Sequence, residues 1–227
     1  MSKKNYRSFR VPRIWSNEVL KQISPLFSGD IINVSGWDDR DKQGGKYINY
    51  FPNSNNYSIS NYYGERGIDD AKSETNYLID LSTPISDRFY RKYDVVFNHT
   101  TLEHVFELNI AIQNLCQMSR DIVIVIVPFI QEIHYTDSYG DYWRFTPMGL
   151  RRAFKDNGLE VIYETYNQHQ FTGIYLFFVA SRFPTKWQGE MPAWSPLLNA
   201  GEWVTYSPKN ILQRVIHKLW IWSIQKW

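Results

Sequence analysis

The sequence has a single cysteine, Cys116. No disulfide can form within the chain, and metal motifs built on cysteine pairs are excluded. No apolar run approaches the ~20 residues that a membrane-spanning helix needs. The basic N-terminus has no apolar stretch behind it, so no secretory signal is visible. Acids are missing from both ends. Residues 1–13 carry Lys3, Lys4, Arg7, Arg10 and Arg13, and residues 209–227 carry Lys209, Arg214, Lys218 and Lys226. The whole chain nets only +2, so the body between these ends is acidic. An acidic body offers no groove for nucleic-acid phosphates, and basic ends suit an anionic surface. Repeats and low-complexity tracts are absent. These features predict a cytoplasmic protein that is no nucleic-acid binder.

What is present centres on residues 93–146. Tyr93-Asp94-Val95-Val96-Phe97-Asn98 is too short for a helix and rich in β-branched residues, which predicts a buried strand. Thr100-Thr101-Leu102-Glu103-His104-Val105 is expected to open a helix. Ile122–Val127 predicts a second strand, stopped by Pro128. Strand, helix, strand is a βαβ unit, and ligands of open α/β sheets sit beyond the carboxyl ends of the strands. The polar clusters at His99–His104 and Pro128–Thr146 lie at such ends.

The remaining elements follow in order. A short helix is predicted over Ser16–Ser24, capped by Ser16 and ended by Pro25. Strands are predicted at Ile31–Val34, Tyr57–Tyr62 and Tyr77–Ile79. A polar loop, Ser35 to Lys46, follows the first. Thr146-Pro147 caps a helix that Gly158 stops. Leu159–Tyr166 and Gly173–Ala180 predict an antiparallel hairpin. Residues 183–227 turn rich in proline and tryptophan and end in a basic amphipathic helix over 210–227. That helix reads either as an interfacial membrane contact or as packing on its own domain or on a second subunit. The expected organisation is an arm and short helix over 1–27, an α/β domain over 28–182, and a C-terminal extension over 183–227.

Strand order, YDVVFNHTTLEHV, VIVIVPF, DYWRFT and Gly158-Leu159-Glu160-Val161 together resemble a class I S-adenosylmethionine-dependent methyltransferase of the small type 11 kind. The likeness covers about residues 28–182. It implies a doubly wound, mostly parallel seven-stranded sheet with the last strand antiparallel. The cofactor would lie over strands one to three and the acceptor over strands four and five. Relatives with a PF…H…DYWRFT block often occur with polysaccharide-assembly enzymes, which implies methyl transfer to a hydroxyl of a sugar or polysaccharide precursor. The resemblance places Asn33, Ser35, Gly36, Asn61, Asp80, Leu81, Asn98 and His99 around S-adenosylmethionine. The family's first loop usually reads Asp-x-Gly-x-Gly-x-Gly. Here it reads Asn33-Val34-Ser35-Gly36-Trp37-Asp38-Asp39, and Asn61 stands where an acid usually binds the ribose. The alternative is therefore a methyltransferase-shaped binding module without catalysis, anchored by its tail to a glycan-assembly complex or a membrane surface.

Each candidate side chain also has a plain structural reading. Thr100-x-x-Glu103 matches a capping box, and Glu103 is otherwise a substrate carboxylate. His104 is a wall residue or a general base, and His134 competes for the base role. Arg144 either holds an acceptor's anionic group or pairs with Asp141 to lock its loop. Tyr142 is expected to face the acceptor with them. Glu103 and His104 alone make a poor ligand set for Mg²⁺, so no metal is expected. Trp37, Tyr47, Tyr50, Phe51 and Tyr57 are expected to pack beneath the first loop.

Overall fold

The structure is a computed structural model, which describes residues 10–62, 76–137, 139–168 and 172–197, and Val215. Helix α1 spans Arg10–Ile23, α2 Leu108–Met118 and α3 Pro147–Asp156. The strands are β1 Gly29–Val34, β2 Ser54–Asn61, β3 Asn76–Leu78, β4 Tyr93–His99, β5 Ser119–Ile130, β6 Glu160–Tyr166 and β7 Ile174–Ser181. They form one seven-stranded sheet in the order β3-β2-β1-β4-β5-β7-β6. The first five run parallel, and β7 lies antiparallel between β5 and β6. The strand order reverses between β1 and β4, the place where such sheets open a crevice.

Alternation along the central strands explains their apolar sequence. Ile32, Val34, Val96, Val123, Val125, Val127, Leu176, Phe178 and Ala180 point to the face covered by α2 and α3. Ile31, Val95, Phe97, Ile122, Ile124, Ile126, Tyr175, Phe177 and Val179 point to the other, under α1, Tyr47, Tyr50 and Phe51. Both faces are buried, so both phases of the period-two pattern must be apolar.

Two predicted boundaries need correction. Ser16 lies inside α1 and does not cap it. The buried stripe of that helix runs through Pro12, Ser16, Leu20 and Ile23, so a polar residue interrupts the apolar count. Ser16 Oγ donates to the Arg13 carbonyl at 2.9 Å, bonding back onto the preceding turn. Pro128 does not end β5. The pairing of β5 with β4 stops at Ile126, and from there proline's missing N–H is not needed on that side. Pro128 pairs with Tyr175 of β7, and the register shifts beyond it.

Thr146 caps α3 as expected, its side chain accepting from the Gly149 N–H, and Gly158 turns the chain at φ 74°. The compact unit runs to Leu197, and a second unit comprises Leu198–Trp227. Within the first unit Trp187 packs edge-on against Phe27 and donates to Asp121. The C-terminal amphipathic helix lies outside the described residues apart from Val215, which is helical. Among the described residues no helix is long and apolar enough to cross a membrane.

An ion pair with a buried carboxylate ties α3 to β6. Arg151 of α3 holds Glu164 of β6 with two hydrogen bonds, and Glu164 also accepts from the Leu197 N–H. Removing one partner of such a pair strands a charge, at a cost of about 3–5 kcal/mol. Arg151→Met is expected to lower unfolding free energy by that amount in urea titration. Arg151→Met with Glu164→Leu is expected to recover most of it. Equal losses in both variants would contradict this role.

Candidate active site

The loop after β1 is shaped by hydrogen bonds onto two acidic side chains. Ser35, Trp37, Asp39 and Lys42 all take left-handed backbone conformations, with φ from 52° to 65°. Such conformations cost non-glycine residues on the order of 1–2 kcal/mol each. Asp39 offsets this as a hub: its buried carboxylate accepts from the Asn33 amide, the Tyr57 hydroxyl and the Ile48 N–H. Asp41 repeats the device with Tyr50, Gln43 and Gly45. Burial pushes the Asp41 carboxyl up, but these donors outweigh it and hold it below the usual carboxylate value. Gly36 is needed as glycine, because a Cβ there would strike the Asn33 carboxamide. Asn61, at the end of β2, clamps the Trp37 backbone: Oδ1 accepts its N–H at 2.6 Å and Nδ2 donates to its carbonyl at 3.0 Å.

Beyond the carboxyl ends of β1 to β4 lies a cavity of about 650 Å³. Ser35, Trp37, Asn61, Asp80 and Leu81 line one end, and Thr100, His104, Phe106, Tyr139 and Tyr142 the other. Trp37 forms wall and is 40% exposed, with the Lys42 ammonium 5.0 Å from its ring centroid. It does not join the buried aromatics beneath the loop, where Tyr47, Tyr50 and Phe51 do pack and Tyr57 is half-buried. Asp80 Oδ1 accepts from the Ser82 N–H and hydroxyl, and no bond among the described residues falls on Oδ2. Phe106 and Tyr142 meet edge to face at 5.4 Å and are both more than half exposed at the cavity wall.

The segment after β4 is not the helix start that its sequence suggests. Thr100 takes φ 50° and accepts from the Arg13 guanidinium of α1 at 2.6 Å. Leu102–His104 is a single 3-10 turn without a side-chain cap, and α2 begins only at Leu108. The capping box is therefore absent, since it requires helical geometry directly after Thr100. Glu103 is 1% exposed, and neither carboxylate oxygen has a hydrogen-bond partner. Burial pushes its carboxyl up to about 7. His104 Nδ1 donates to the Gly140 carbonyl at 2.5 Å, which leaves the lone pair on Nε2, 3.8 Å from Glu103 Oε1. Burial holds the imidazole below its usual value, hence neutral at pH 7.

The loop from Gln131 to Phe145 is locked by Asp141. Arg144 grips it bidentately at 2.6 and 2.7 Å, and the His134 N–H donates to it at 2.8 Å. Burial opposes ionisation of Asp141, but these donors pull its carboxyl down to about 2. The Tyr142 N–H donates to the Glu103 carbonyl at 2.8 Å, fastening this loop to the turn after β4.

Ser35, Asn61, Asp80, Leu81, His104 and Tyr142 line one cavity. Asn33, Gly36, Asn98, His99, Glu103, His134, Asp141 and Arg144 do not line it. Asn33 braces Asp39, and the Asn98 amide donates to the Val34 carbonyl. His99 is bonded to Ser16 and Thr100 beneath α1, and its burial lowers its basicity well below the usual value. Arg144 locks its loop through Asp141. His134 stands behind His104, ring centroids 4.9 Å apart. Sequence reasoning missed Thr101, Val105, Phe106 and Glu107 as wall residues, because a continuous helix from Thr100 would have carried them away. The left-handed Thr100 gives no signal in sequence.

No family model and no curated protein matches the chain. Solved structures do. A magnesium protoporphyrin IX methyltransferase from Synechocystis PCC 6803, crystallised with S-adenosylmethionine, aligns at TM-score 0.54 and 13% identity over 80% of this chain and 85% of its own. A Burkholderia thailandensis 1,6-didemethyltoxoflavin-N1-methyltransferase, bound to that compound and to S-adenosylhomocysteine, aligns at 0.50 and 11% over 78% and 84%. The cyclase SpnF aligns at 0.53 and 10% over 74% and 80%. At these identities the likeness is one of fold, and the sheet order agrees with it: the chain has the class I S-adenosylmethionine-dependent methyltransferase fold.

Proposed function

We propose that the chain is an S-adenosylmethionine-dependent methyltransferase acting on a hydroxyl of a sugar or a similarly polar small acceptor. The observation that carries this reading is the cavity at the carboxyl ends of β1 to β4, of a size suited to a nucleoside-like ligand and a small acceptor. Asp80 Oδ2 would accept from an adenine amino group. Asn61 spends one lone pair and one N–H on Trp37 and keeps one of each for a ribose hydroxyl. When bound, S-adenosylmethionine supplies an electrophilic methyl on sulfur. Phe106 and Tyr142 offer flat faces to an acceptor ring, and the sugar assignment rests on them and on the DYWRFT resemblance. His104 Nε2 takes the acceptor's proton, its tautomer set by Gly140. Most of the rate enhancement comes from alignment of the reacting groups.

A second reading, a binding module without methyl transfer, is favoured by the Trp37 indole on the cofactor side and by the clamp on its backbone. SpnF shows that a chain of this fold can be named for another reaction.

Titration calorimetry with S-adenosylhomocysteine separates the two. Methyl transfer predicts one site with a dissociation constant of roughly 1–100 µM. Asp80→Ala is expected to weaken it at least about tenfold, or about 1.4 kcal/mol. No heat at millimolar ligand, with binding gained in Trp37→Gly, would favour the module instead.

A further inference from the structure

We propose that Glu103, His104 and His134 form a site for one divalent transition-metal ion of the zinc class. Glu103 and His104 are adjacent in sequence and make two ligands at most. The fold adds a third from thirty residues further on. One ligand atom from each of the three side chains lies within 4.8 Å of the other two. Zn²⁺ about 2.1 Å from each ligand needs them about 3.5 Å apart. The Glu103–His104 separation is already 3.8 Å, so small side-chain rotations close the set.

The independent observation is the carboxylate itself. Both Glu103 oxygens are buried and without a hydrogen-bond partner, in a chain that satisfies Asp39, Asp41, Asp141 and Glu164 several times over. A buried carboxyl without a partner is neutralised by a proton or by a bound cation.

Both imidazoles are oriented as metal ligands are. His104 Nδ1 is used on the Gly140 carbonyl and presents Nε2. His134 Nδ1 lies 3.2 Å from the Glu132 carbonyl and 3.3 Å from Asp141 Oδ2, a carboxylate fixed by Arg144. A backbone carbonyl on Nδ1 with a carboxylate close by matches the outer-shell partners of metal-bound histidine. The Gln131 amide stands 3.3 Å from His134 Nε2 and 3.2 Å from Nδ1, and coordination through Nε2 would displace it. One carboxylate and two imidazoles suit zinc and its neighbours better than Mg²⁺, which prefers oxygen alone.

The inference rests on the methyltransferase reading only for its consequence. An ion on His104 Nε2 excludes that nitrogen as proton acceptor and would acidify a bound hydroxyl in its place.

The test uses the full chain, stripped with EDTA, without cofactor. Calorimetry with ZnCl₂ is expected to show one ion per chain, with MgCl₂ silent at the same concentrations. Glu103→Gln and His134→Ala, checked for folding by circular dichroism, are each expected to weaken zinc at least about tenfold, the loss seen even for outer-shell changes. X-ray absorption on the zinc-loaded wild type is expected to show two imidazoles, oxygen and no sulfur, and it decides the matter if either variant fails to fold. No zinc heat, zinc binding indifferent to both substitutions, or a sulfur shell would overturn the site. Because no cofactor is present, failure here leaves the S-adenosylhomocysteine result standing.

Discussion

A sheet buried on both faces confines its chemistry to the strand ends. In this chain the inner strands are apolar in both phases of their alternation, with Ile122, Ile124 and Ile126 on one side and Val123, Val125 and Val127 on the other. A polar group on those faces needs a buried partner of its own. The parallel run of β1 to β5 gathers five carboxyl ends on one rim, and the reversal between β1 and β4 parts the loops there. Every side chain of the cavity belongs to that rim.

The rim is rigid through hydrogen bonds on acidic residues. Asp39 and Asp41 hold the loop after β1, and Asp141 with Arg144 holds the loop after β5. Arg13 reaches from α1 to Thr100 and sets the turn that follows β4. These carboxylates support geometry, and each is satisfied. Glu103 is the exception at the same rim, buried and unbonded, which marks it as a group kept at a cost to stability for something other than packing.

The sheet was legible because period-two patterning and β-branched composition belong to single short segments. Val95–Phe97 and Ile122–Val127 read correctly on that ground alone, as did the Thr146-Pro147 start of α3. Boundaries set by contacts distant in sequence did not. Ser16 joins the buried face of α1 because His99 waits beneath it. Thr100 leaves the helical region because Arg13 and the end of β5 hold it, the latter through a bond from its N–H to the Ile126 carbonyl. That one left-handed residue turned an expected capping box into a 3-10 turn and brought Val105, Phe106 and Glu107 to the wall. Which histidine faces the cavity was likewise a question of depth, and the fold puts His104 in front of His134.

On the reading proposed above, the rim over β1 to β3 holds an adenosyl group beside Trp37. A crystal structure of the chain grown with S-adenosylhomocysteine tests it most directly. The account predicts the adenine amino group on Asp80 and the ribose beside Asn61, with the thioether end turned toward His104. Ligand bound elsewhere, or an indole that fills the space with no ligand beside it, would contradict it.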